Sequence, residues 1–264
     1  MLLSLDGRRV YFDLAGPQNA PTVCFTHSLN ADGGMWVEQM VPLLAAGYRV
    51  LRLDMRGHGG SAPVAGDYTM DGLAADVKAA LDVLGIARVH YIGLSIGGMI
   101  GQGFALANPD RLLTLTLCDT QPSTPPGSAG TWEERKATVR SKGLAALADS
   151  TMERWFTDEF RQVNPVRWRE VRDTISGTTP EGSAGCMSAI QHFDYLDRLP
   201  TIKVPTLVIC GDEDQGTPPE RNRLIASRIP GGRYEGIARA RHLPNVERPE
   251  AFNKIMLSWL AANR

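Results

Sequence analysis

Gly93-Leu94-Ser95-Ile96-Gly97 matches the pattern G-x-S-x-G, in which a serine is carried on a sharp turn between a strand and a helix. Gly and Ser are common, so the flanks carry the reading. Before it, Val89-His90-Tyr91-Ile92 is a short apolar run that reads as a buried strand. After it, Ile96 to Asn108 has a helical pattern that stops at Pro109. So tight a turn forces Ser95 into strained backbone geometry, and a glycine two residues away on either side lets the two arms pass without a side-chain clash. The turn aims the Ser95 hydroxyl into open space. It also puts the N–H of Ile96 at a helix N-terminus, where developing negative charge is stabilised.

Strand-like and helix-like segments alternate outward from this turn. Arg8–Leu14, Thr22–Thr26, Tyr48–Asp54 and Leu112–Cys118 read as strands; Trp36–Ala46 and Thr69–Leu84 read as helices, closed by Gly47 and Gly85. Such alternation implies a mostly parallel sheet with helices on both faces. The pattern breaks after Thr120. Gln121–Gly130 is rich in Pro, Gly and Ser, and helical segments without strands follow to about Leu199. A strand at Pro205–Cys210, a helix at Pro219–Ile229, a strand near Gly232–Gly236 and a helix at Pro249–Ala262 complete the chain. The expected organisation is one α/β core, residues 1–120 and 200–264, with a helical lid inserted over residues 121–199.

Bulk properties remove several functional classes. The 264 residues are 43% hydrophobic and 22% charged, an ordinary globular composition. A net charge of −1 offers no footprint for nucleic acid or an anionic membrane. No run of about 18 apolar residues suggests a membrane span, and the N-terminus turns polar too soon for a signal peptide. The cysteines at 24, 118, 186 and 210 lack zinc or redox spacing and read as small core residues. A cytoplasmic location and a small-molecule substrate are expected, with no metal.

A serine hydroxyl needs a base. Of the five histidines, His242 stands in a loop after the last strand and before the last helix, at a strand carboxyl end where α/β sheets carry function. The base in turn needs a carboxylate to hold its tautomer. Gly211-Asp212-Glu213-Asp214 follows the strand ending at Cys210. Asp214, farthest past the strand end, is the candidate; Asp212 reads as a turn former, and Asp119, at the end of the preceding strand, is the rival. A second oxyanion donor is expected from the N–H of Leu29 in Thr26-His27-Ser28-Leu29-Asn30, paired with that of Ile96; one such donor is worth roughly 10²–10³ in rate. His27 and His58 read as structural. The Gly-rich turn Asp54–Ser61 lacks phosphate-loop spacing.

Together these residues resemble the α/β-hydrolase superfamily, whose chain order of serine, acid and histidine is that of Ser95, Asp214 and His242. His27-Ser28-Leu29, Asp54-Met55-Arg56-Gly57-His58-Gly59, Gly93–Gly98 and Leu117-Cys118-Asp119-Thr120 further resemble the 3-oxoadipate enol-lactonases, as do the insertion segments Trp132–Arg135, Arg154–Thr157 and Ala189-Ile190. That resemblance implies hydrolysis of a small carboxylate-bearing lactone through an acyl-enzyme, in aromatic catabolism, with no cofactor. It implies a substrate pocket for which Trp132, Trp155, Met99 and Arg135 are candidates, Arg135 facing the substrate carboxylate. Arg239 and Arg241 flank His242 and either add positive potential or point outward. Asn30-Ala31-Asp32-Gly33-Gly34 departs from the glycine-containing turn that the resemblance leads one to expect after His27-Ser28-Leu29. A broad carboxylesterase or lactonase on the same scaffold is the alternative, and a non-enzymatic ligand-binding member of the fold a third.

Overall fold

The computed structural model describes residues 1–264. Eight strands form one sheet: β1 (Leu2–Leu5), β2 (Arg8–Ala15), β3 (Thr22–Thr26), β4 (Arg49–Leu53), β5 (Val89–Leu94), β6 (Leu112–Cys118), β7 (Thr206–Gly211) and β8 (Arg233–Ile237). Their order is β1-β2-β4-β3-β5-β6-β7-β8. β1 and β2 run antiparallel to their neighbours; β3 to β8 are parallel. The central strands β3, β5 and β7 are buried along their whole length, as strands covered on both faces must be. β1 alternates exposed and buried residues. It pairs with β2 across the turn at Asp6-Gly7, both at positive φ.

The helices of this core are α1 (Val37–Ala45), α2 (Met70–Val83), α3 (Ile96–Ala107), α9 (Pro219–Arg228), α10 (Pro244–Glu247) and α11 (Pro249–Ala262). Strand order and right-handed crossovers dictate their faces. The chain steps one way along the sheet from β3 to β4 and the other way from β4 to β5 and onward. So α1 lies on one face, with α11 packed against it, and α2 with α3 on the other. Phe25 of β3 stacks on Trp36 at 4.5 Å, and Trp36 meets Phe252 of α11 at 6.1 Å, which anchors the first layer. In the second layer, α3 comes close to the sheet because its inward positions are glycines. A Cβ on Gly101 would lie 2.5 Å from the Tyr91 ring, and one on Gly98 would lie 2.7 Å from Thr120. Each such glycine costs the helix about 1 kcal/mol of propensity; close packing offsets it.

The reversal of direction at β3 makes a switch point between β3 and β5, where the loops at the strand carboxyl ends part and leave a crevice. The loop after β3 carries Leu29 and the turn after β5 carries Ser95. Between β6 and β7 stand five further helices: α4 (Ala129–Lys142), α5 (Ala145–Trp155), α6 (Asp158–Val163), α7 (Pro165–Gly177) and α8 (Pro180–His192). The two ends of this insertion meet. Ser123 bridges Asp194, Thr124 N–H donates to Phe193 O, and Tyr195 N–H to Pro122 O.

Candidate active site

Ser95 has φ 60 and ψ −118, outside the regions open to an L-residue at low cost. Its neighbours hold it there. Ser95 N–H donates to Cys118 O at 2.9 Å, and Thr120 Oγ1 donates to Ser95 O at 2.8 Å. The flanking glycines are required by space: a Cβ on Gly93 would lie 2.2 Å from Gly97 O, and one on Gly97 2.5 Å from Thr26 O. The strand-turn-helix expected from the pentapeptide is therefore formed, for the steric reason expected.

His242 lies in the loop between β8 and α10, and Asp214 in the loop after β7. His242 Nδ1 donates to Asp214 Oδ2 at 2.8 Å. The same carboxylate accepts Thr217 Oγ1–H at 2.6 Å and the N–H of Gly216 at 2.8 Å and Thr217 at 3.3 Å. Burial alone would raise the Asp214 carboxyl. The charge and hydrogen bond of His242, with the bonds from Thr217 and Gly216, outweigh it and hold the group below the usual carboxylate range. Asp212 and Glu213 are exposed.

Asp119 is buried behind this pair. Its Oδ1 accepts Gly211 N–H at 2.8 Å, and its Oδ2 has no partner. Burial pushes its carboxyl well above the ordinary range, and the charge of Asp214 pushes further, so the protonated form of Asp119 is favoured. Asp119, Cys210 and Asp214 bring ligand-type atoms within 4.8 Å of one another. With the Asp214 carboxylate engaged by His242, Thr217 and Gly216, they do not make an open anionic set for a cation.

Leu29 lies in the loop after β3, and Ile96 opens α3 directly after Ser95. Ile96 is the first residue of α3, so its N–H has no intrahelical acceptor; the N–H of Leu29 has no protein acceptor either. His27 fixes this loop. Its Nε2 accepts Met55 N–H at 3.0 Å and its Nδ1 donates to Ser28 O at 2.8 Å. Asn30 sits at φ 66, a conformation glycine and asparagine adopt most readily, and its Oδ1 accepts Ser183 Oγ–H of α8 at 2.7 Å. His58 is buried 5.2 Å from His27 and pushed down to about 3, first by burial and then by His27. It is structural.

A cavity of about 340 Å³ joins these parts. Ser95, His242, Leu29 and Met99 form its floor; Trp132 and Arg135 of α4, and Arg154 and Trp155 of α5, its far wall. All four pocket candidates from the sequence are there. Arg135 lies over the Trp132 ring at 5.1 Å. Burial pulls its guanidinium down to about 10, and Arg154 beside it pushes the same way. Arg154 is lowered by burial, partly offset by exposed Glu153. Arg154 Nη2 donates to Thr151 Oγ1 at 3.3 Å. Neither guanidinium belongs to any of the protein's ion pairs. Two cations thus face the cavity without a carboxylate partner. Arg154 was not among the expected pocket residues; it stands beside Trp155, one helical step from the wall that was read. Arg241 turns away, donating through Nη1 to the carbonyls of Glu153 at 2.5 Å and Phe156 at 2.9 Å. Arg239 is exposed.

Residues 21–249 match the family model described as the alpha/beta hydrolase fold. The chain belongs to the α/β-hydrolase family. Within this family it is 33% identical over 260 residues to a 3-oxoadipate enol-lactonase of Acinetobacter baylyi, covering 98% of this chain and 96% of that one. It is 28% identical over 257 residues to a putative carbamate hydrolase of Stutzerimonas stutzeri, covering 96% and 97%. Among solved α/β-hydrolases, the enol-lactonase from Burkholderia xenovorans superposes with a TM-score of 0.95 at 36% identity, over 99% of this chain and 100% of that one. The protein is thus a hydrolase of the α/β fold that resembles enol-lactonases. It has no helix long and apolar enough to cross a membrane.

Proposed function

We propose that this hydrolase opens a small, carboxylate-bearing enol-lactone, of the 3-oxoadipate enol-lactone type, by acyl transfer through Ser95, Asp214 and His242. The observation that carries the substrate class is the pair Arg135 and Arg154, two cations without carboxylate partners in the cavity that holds Ser95 and His242. An anionic substrate supplies the missing countercharge, in a half-buried setting where hydrogen bonds to charged groups are strong. Similarity to the enol-lactonases supports the same class.

In this mechanism His242 Nε2 takes the Ser95 proton while Asp214 holds Nδ1–H. Ser95 Oγ attacks the lactone carbonyl carbon. The alkoxide so formed is met by the N–H groups of Leu29 and Ile96. The ring C–O bond then breaks, the enol oxygen leaves with the proton from His242, and the enol tautomerises to a ketone. Water, activated by His242, attacks the acyl-enzyme; Ser95 leaves with its proton restored and the second carboxylate is released. The insertion over residues 121–199 acts as a lid that supplies the cationic wall.

The test compares purified enzyme on a carboxyl-bearing enol-lactone and on neutral p-nitrophenyl acetate. A kcat/KM roughly 10–100-fold higher for the lactone is expected from one or two charged contacts. The reverse order refutes the substrate class and leaves a broad esterase.

A further inference from the structure

The loop that carries His242 is bonded in register to the segment of α5 that carries Arg154. Arg241 Nη1 donates to Glu153 O at 2.5 Å, and Leu243 N–H donates to Trp155 O at 3.3 Å. The neighbours of His242 thus hold the neighbours of Arg154. Glu247, on the last turn of α10, closes the arrangement from behind. It is 3% exposed. Its Oε1 accepts the N–H of Thr157 at 2.9 Å and also the Thr157 hydroxyl; its Oε2 accepts Arg241 N–H at 2.8 Å. One buried carboxylate therefore ties the end of α5 and the start of α6 to the residue before His242. Thr157 in turn caps α6 through Phe160 N–H at 3.3 Å.

We infer that Glu247 is a positioning residue: it fixes the spacing between the cationic wall at Arg154 and Trp155 and the base at His242, and so couples recognition of substrate charge to the reacting centre. The inference rests on the catalytic reading above. The far wall of the cavity does not move as one body: the Glu153–Thr157 corner, with Arg154 and Trp155, belongs to the His242 loop, and any opening is left to α4 and α8. Spacing of this kind matters because a misplacement of about 1 Å can cost on the order of 10²-fold in rate.

The experiment uses Glu247→Gln in the full chain with two esters of one leaving group, mono-p-nitrophenyl glutarate and p-nitrophenyl acetate. The side-chain amide of this variant keeps one acceptor but turns an NH₂ toward either the Thr157 donors or the Arg241 N–H. The expected result is a lower kcat on both esters, with KM for the glutarate ester rising about tenfold and KM for the acetate unchanged. Hydrogen exchange at the amides of Thr157, Arg241 and Leu243 should quicken together. A fall in melting temperature with both KM values and the exchange of these three amides unchanged overturns the proposal and leaves Glu247 a stability residue. If Glu247→Gln does not fold, Thr157→Val and Arg241→Leu each loosen the same junction from its edge, and the same split in KM is expected; its absence in both overturns the proposal. Neither ester is an enol-lactone, so failure of the enol-lactone assay refutes that substrate and leaves this test standing.

Discussion

Asp214 Oδ2 accepts Nδ1–H of His242 at 2.8 Å, and the rest of that carboxylate is saturated by Thr217 and Gly216. Asp119, the rival acid, touches the Gly211 amide instead. The two acids should therefore separate cleanly. Asp214→Asn puts an amide NH₂ among groups that are themselves donors and releases the imidazole tautomer; kcat should fall on the order of 10³–10⁴-fold. Asp119→Asn replaces one neutral group by another of the same shape, and kcat should stay within about threefold, under 1 kcal/mol. Steady-state kinetics on any turned-over ester decides it. Equal, mild losses in both variants would remove Asp214 from its role.

The raised pKa of Asp119 also has a thermodynamic signature. Its folded-state pKa is raised, so its contribution to stability is fully present below the unfolded value near 3.9 and is lost as pH rises toward the folded value. In that window each pH unit costs about 1.4 kcal/mol. Asp119→Asn cannot titrate, so its stability relative to the parent should grow from pH 5 to pH 8. Denaturant unfolding at the two pH values measures this. A parent–variant difference independent of pH would mean that Asp119 ionises normally in the folded protein.

Much of this architecture was legible because its signals are local. The elbow needs Gly93 and Gly97 for space, and a five-residue pattern records that need. The proposed acid and base follow strands, so Asp214 and His242 could be placed at strand ends from sequence. The N-terminal strand Leu2–Leu5 was not legible: it alternates, it is short, and only its pairing with β2 makes it a strand. The stretch Asn30–Gly34 departs from the expected turn, yet within it Asn30 takes the left-handed φ that a glycine adopts readily. Arg154 and Glu247 escaped because their importance is relational. A charge on a helix reads as solvated until the cavity beside it, and the absence of a carboxylate partner, are known. The proximity of Glu247 to Thr157 joins residues far apart in sequence, which no local pattern encodes.

Strain at Ser95, the proposed nucleophile, has a measurable cost in stability. Ser95→Ala and Ser95→Gly both remove the hydroxyl, and both should abolish hydrolysis. They differ in the Cβ that φ 60 disfavours. Relief of that strain should make Ser95→Gly more stable than Ser95→Ala by about 1 kcal/mol. Paired chemical denaturation of the two inactive variants reads this difference without interference from catalysis. An alanine variant as stable as the glycine variant would show that the turn holds Ser95 without cost.

The two unpartnered guanidiniums make the sharpest demand on substrate. Arg135 reaches the cavity from α4 and Arg154 from α5, and the charge of Arg154 disfavours that of Arg135. Removing one relieves that repulsion in the empty protein, so Arg135→Gln and Arg154→Gln should each leave stability unchanged or slightly raised. Both should lose affinity for a carboxylate-bearing substrate, by roughly 10–100-fold in kcat/KM if a charged hydrogen bond is lost. The loss should sit in KM, because the substrate carboxylate carries the same charge in the ground and transition states. Turnover of neutral p-nitrophenyl acetate should change little. Raised salt should weaken the anionic substrate and spare the neutral one, though only in part, since a half-buried pair is incompletely screened. If both variants lower kcat on the two substrates alike, the arginines shape the cavity rather than read its ligand's charge.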